Sequence, residues 1–119
     1  MEYHDRQVCR MIEHTGTTLR LAAQRFSQGA SAQEALALTA EAIGEVVTVD
    51  PATFVGMSPP SMVTLLEVSG LDDRLIRRVA ESLLLEADIF QSEADLIEAA
   101  TRREQAAAIL EAIDPSLSN

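Results

Sequence analysis

The chain of 119 residues has no lysine and no tryptophan, one cysteine, two histidines and four aromatic residues, Tyr3, Phe26, Phe54 and Phe90. Each shortage excludes something. Cys9 alone closes no internal disulfide, and a structural zinc site needs several thiolates or imidazoles, so neither cross-link holds this fold together. With so few aromatics, the core must come from Leu, Ile, Val, Met and many Ala, which brings helices close together. Positive charge is short too: nine arginines face nineteen Asp and Glu, a formal net charge of -10. Nucleic acid needs clustered cations, whereas Arg74, Arg77 and Arg78, then Arg102 and Arg103, are interleaved with Asp72, Asp73, Glu81, Glu98 and Glu104, so no nucleic-acid partner is expected. No uncharged apolar run approaches the ~18 residues of a membrane helix, and Met1 to Arg10 is polar where a secretory leader would be apolar. The expectation is a cytoplasmic protein with no membrane partner.

What is present is helical grammar. Cys9, Ile12, Gly16, Leu19, Ala23 and Phe26 recur at spacings of three and four, widened by Val8, Met11 and Ala22, which predicts a first helix from about Tyr3 to Gln28 stopped by Gly29. Ser31-Ala32-Gln33-Glu34 is a capping box opening a second helix that ends before Asp50-Pro51. Pro51 to Val55 is a one-turn connector, and Ser58-Pro59 opens a third helix that Gly70 closes. Asp72 caps a fourth, with Ile76, Val79, Leu83, Ala87 and Phe90 on its buried stripe. A fifth follows a Ser92 cap, with Leu96, Ala99, Ala100, Ala106, Leu110 and Ile113 inward and Arg103 interrupting the seam. No segment alternates like a strand. The fold class is therefore all-α: five main helices plus a one-turn connector, arranged as stacked hairpins or as a compact orthogonal bundle. Residues 1–119 form one domain with a frayed tail over 115–119.

The residues of a reaction are not assembled. A di-iron bundle needs Glu-x-x-His, and Met1 and Met11 stand three before His4 and His14. Asp95-x-x-Glu98 and Glu111-x-x-Asp114 loosely resemble the acidic pairs of helical pyrophosphohydrolases, but 98 and 111 lie roughly 20 Å apart on one helix, too far to share ions. His4 and His14 share a helix with Cys9 at offsets that point them away from it, so Cys9 has no base and belongs to the apolar stripe. Gly56-Met57-Ser58 lacks the second glycine and the strand of a nucleophile elbow. No catalytic residue, cofactor or metal is assigned.

Two helical glycines, Gly16 and Gly44, each cost ~1 kcal/mol relative to Ala; close packing by a neighbour is the favoured reason, and a hinge or a peptide groove is the alternative. Arg103 on the expected seam would anchor a partner's carboxylate or pair with an internal acid such as Glu86.

The order of elements carries a resemblance. An opening helix with Asp5-Arg6 and Ile12-Glu13, the capped Glu34-Ala35-Leu36, the Val49-Asp50-Pro51 connector, Ser58-Pro59, and paired helices from Leu75 to Phe90 and Ala94 to Ile113 resemble short bacterial proteins with a tetratricopeptide-like helical arrangement. Ala108 to Pro115 approximates the close of that repeat's second helix. The resemblance implies an interaction scaffold and transfers no site residues.

The function expected is therefore a non-enzymatic protein–protein interaction module that takes a protein or peptide partner. The alternative is an acidic regulator that occupies a basic site on a nucleic-acid-binding protein. The first helix's apolar face is wider than one neighbour covers, which places Val8 and Met11, with Arg103, among candidate partner contacts and raises a homodimer.

Overall fold

Short polar residues open the helices: Ser31, Asp50, Ser58, Asp72 and Asp95 each cap one. The computed structural model describes the backbone of residues 2–118 and the side chains of 5–116, so Tyr3, His4 and the last residues of the tail lie outside the described side chains. It contains α1 (Glu2–Ser27), α2 (Ala32–Val46), α3 (Pro51–Val55), α4 (Pro59–Val68), α5 (Asp73–Ser92), α6 (Leu96–Ile113) and a closing 3-10 turn, Pro115–Ser118, with no strand among the described residues. The fold is all-α, as the periodicity predicts. A 3-10 turn over Pro115–Ser118 follows α6 directly.

Local chemistry accounts for most boundaries. Ser31 accepts from the Glu34 amide at 3.1 Å, but the return half of the capping box is not made, because the Glu34 carboxylate takes Arg25 at 2.8 Å across the α1–α2 turn. Asp50 and Ser58 accept from the Thr53 and Ser61 amides, each followed by Pro in the first helical turn. Asp72 accepts from the Arg74 amide and binds its guanidinium, and this hydrogen bond, then the charge, raises the Arg74 pKa. One boundary departs from expectation. Ser92 does not cap α6; it ends α5 and donates to the Ile89 carbonyl, while Asp95 accepts from the Glu98 amide. The turn between them is hidden from pattern reading because Ala94, not glycine, takes the left-handed backbone, at φ 60°.

α5 is the centre of the fold and packs against α6, α2 and α1, while α4 packs on α6. Its direction relative to the others follows from named contacts. Ile12 and Gly16 of α1 meet Arg78, and Leu19 to Ala23 lie beside Glu81 and Leu85, so α1 and α5 run parallel. Arg102 meets Glu86, while Ile109 and Ile113, later on α6, lie beside Ile76 and Asp73, earlier on α5, which makes α6 antiparallel to α5. The core between them holds Ile43, Phe54, Met62, Leu66, Val79, Leu83 and Ile109.

The inward face of α1 keeps Val8, Gly16 and Ala22 of the predicted stripe, but Cys9 and Ala23 are exposed, and Thr15 and Thr18 are buried. The two threonines lose their polarity by donating to the Met11 and His14 carbonyls, four residues back, and so pack as small apolar residues. Both helical glycines face a neighbour's side chain. A Cβ on Gly16 would sit 2.9 Å from Arg78 Nη2, and one on Gly44 would sit 3.1 Å from Pro51 Cγ.

Candidate functional site

The inward face of α6 is polar at two positions where a bundle helix ordinarily carries aliphatic residues. Arg102 and Gln105 are buried, whereas Leu96 and Ala100, expected to face inward, are exposed. Arg102 has its partners ready. Arg102 Nε donates to Glu86 Oε1 at 2.8 Å, with the two side chains 8% and 6% exposed, and Nη1 lies 3.2 Å from Glu98. Glu86 Oε2 accepts from the Thr39 hydroxyl at 2.7 Å. The guanidinium carbon stands 5.2 Å from the Phe90 ring centroid, within the range of a cation–π contact. Arg102, not Arg103, thus interrupts the seam, and it meets the acid named from sequence, Glu86. Arg103 is one position round the helix, 44% exposed, bonded to Gln91 and 3.5 Å from Asp88.

Two depressions flank Arg102 and share α3 as a wall. One, of about 210 Å³, lies between α2, α3 and α5 and is lined by Leu36, Ile43, Pro51, Val55, Phe90 and the Arg102–Glu86 pair. The other, of about 260 Å³, is a notch between the α3–α4 turn and α6, with Ala52, Val55 and Met57 on one side and Glu98, Thr101, Arg102 and Gln105 on the other. Gln105 is 1% exposed. Its Nε2 donates to the Val55 carbonyl at 2.8 Å and the Met57 carbonyl at 3.1 Å, which ties the turn to α6. Its Oε1 is buried with no hydrogen-bond partner.

A second surface lies at the α5–α6 turn. Leu96 and Ile97, in the first turn of α6, are 65% and 80% exposed. They follow Glu93 and Asp95 and precede Glu98, and among the described residues Glu93, like Glu104 and Glu111 further along α6, meets no cation. The end of the hairpin is thus apolar and acidic at once.

The remaining candidates from sequence are placed as follows. Val8 is buried in the chain's own core, and Met11 and Ile12 are partly buried against it. His14 reaches Glu45 of α2 at 3.1 Å. Among the described residues, no three His, Cys, Asp or Glu side chains gather into a metal-holding group, and no helix is long and apolar enough to cross a membrane. Neither Gln105 nor the Leu96–Ile97 pair stands out in sequence. Gln105 looks like any polar helix residue until the α3–α4 turn is seen above it, and Leu96 fits an inward stripe.

No protein-family model, curated protein or solved structure matches the chain.

Proposed function

We propose that the chain is a non-enzymatic helical interaction module that docks another protein at its α5–α6 turn. The observation that carries this reading is the adjacent exposure of Leu96 and Ile97, at 65% and 80%. Scattered exposed aliphatics are ordinary, but two neighbouring ones at a hairpin end, beside the carboxylates of Glu93 and Asp95, form an anchor with a charged rim. The partner that fits is a segment with an apolar residue next to Lys or Arg, because it covers the aliphatic pair and pairs Glu93 and Asp95. Selection of displayed random peptides on the immobilised protein tests this. Enriched peptides carry an apolar residue beside basic ones, and they release from the Leu96→Ser, Ile97→Ser double variant. Peptides that bind wild type and double variant equally reject the surface.

The net charge of -10 favours a second reading, an acidic regulator that covers the basic site of a nucleic-acid-binding protein. Salt separates the two. A complex held by charge weakens steeply with ionic strength, and one anchored by Leu96 and Ile97 keeps most of its affinity.

A further inference from the structure

We propose that the cavity where α4, α5 and α6 meet binds a small organic cation with a compact apolar body. This cavity, of about 230 Å³, lies at the end of the α5–α6 hairpin away from Leu96 and Ile97, where α4 and α6 finish and α5 begins. Its floor is aliphatic. Leu66, Ile76 and Ile109 are buried there, and Val63, Leu71 and Ile113 are partly buried beside them. The charged groups that line it are the carboxylates of Glu67 and Asp73, and among the described residues neither meets a cation.

The charge around this cavity is of one sign. Arg74 pairs with Asp72, and neither Arg74 nor Arg77 lines the cavity. α4 and α6 both end here without a basic residue in the last turn, so the negative ends of their dipoles add to the two carboxylates. The N-terminus of α5 lies at this end too, but Asp72 already caps it. An aliphatic floor beside two carboxylates without a counter-ion fits a cation attached to a hydrocarbon, and it selects against a neutral or anionic molecule of the same shape. Size narrows the class further. The volume falls below the ~300–1,000 Å³ of sites that take drug-sized ligands, so the occupant is one ring or one branched chain. The walls are branched side chains from three helices, which a compact body meets on all sides and the linear stem of a lysine does not. The occupant is therefore a free amine, not a side chain of another protein.

The site lies roughly 30 Å from the docking surface at Leu96 and Ile97, the length of the 20 residues of α5, so the two readings fail separately. Nuclear magnetic resonance titration of the methyl-labelled full chain with cyclohexylammonium, followed at the Val63, Ile76 and Ile109 methyls, tests it, with cyclohexanol and cyclohexanecarboxylate as neutral and anionic matches. Saturable shifts with a Kd of about millimolar are expected for so small a ligand, together with nuclear Overhauser contacts from its ring protons to those methyls. Cyclohexanol should bind about tenfold more weakly, and cyclohexanecarboxylate should not saturate. Glu67→Gln and Asp73→Asn, both at exposed positions, should each weaken the cation by about threefold and leave cyclohexanol unchanged. Glu93→Gln, at the far end of the hairpin, should change neither. Equal binding of cyclohexylammonium and cyclohexanol would overturn the proposal, as would shifts spread over the surface carboxylates with no ring contact to the cavity methyls. Tighter binding of Nα-acetyl-lysine N-methylamide than of cyclohexylammonium would overturn the free amine in favour of a protein lysine.

Discussion

Glu86 of α5 and Arg102 of α6 meet at 2.8 Å with both side chains more than nine-tenths buried. The pair sits where the three helices α2, α5 and α6 converge, and Thr39 and Glu98 satisfy its outer atoms. Such a pair locks register, since sliding α6 by one turn would strand two charges.

Removing one partner should cost far more than removing both. Arg102→Met alone leaves the Glu86 carboxylate buried and unpaired and is expected to lower unfolding free energy by about 3–5 kcal/mol. Arg102→Met combined with Glu86→Leu should recover most of that loss. Urea unfolding of the two singles and the double measures it, and strictly additive losses would show that the pair is not coupled.

Leu83 has no exposed surface on the central helix, whereas Glu81 is exposed and pairs with Arg78. Leu83→Ala should therefore cost ~2–5 kcal/mol, and Glu81→Ala no more than about 0.5 kcal/mol. Comparable values in denaturant melts would mean that the inward face of α5 is wrongly assigned.

Gly16→Ala should not deliver the ordinary gain of ~1 kcal/mol that replaces a mid-helix glycine. The new methyl meets the Arg78 guanidinium, which is held by the Ile12 carbonyl and Glu81. In an Arg78→Ala background the obstacle is gone, and the same substitution should then stabilise by about 1 kcal/mol. An equal gain in both backgrounds would dismiss the contact.

Ala94 holds the left-handed conformation that closes α5. Ala94→Gly is expected to raise stability by about 1 kcal/mol, because glycine adopts that backbone without a Cβ clash. Thermal unfolding reads the sign, and a destabilised variant would place the turn in another conformation.

Helix existence and most helix starts were legible in the sequence, for a local reason. Ser31, Asp50, Ser58 and Asp72 cap helices through bonds to amides two or three residues ahead, and Gly29 and Gly70 stop them at positive φ. The start of α6 was the exception, since an alanine stood where glycine marks such turns. The stripe of α5 was also readable, because its aliphatic residues recur against a charged opposite face.

The faces of α1 and α6 were decided only by tertiary structure. On α6, alanines are spread around the helix and Leu96 and Ile97 lie outward, so apolar periodicity does not single out a side. The inward side is set by what waits there: Glu86 for Arg102, and the Val55 and Met57 carbonyls for Gln105, contributed from 16 to 50 residues away. Polar residues go inside when distant partners meet them, and no local pattern records a partner. The same holds for Gly16, whose reason is the Arg78 side chain from 62 positions along the chain (78 − 16). Sequence by itself determined which segments coil and where they stop, because those are contacts within a turn. The orphan oxygen of Gln105 and the exposure of Leu96 and Ile97 arise from packing between helices, and only the folded chain holds them.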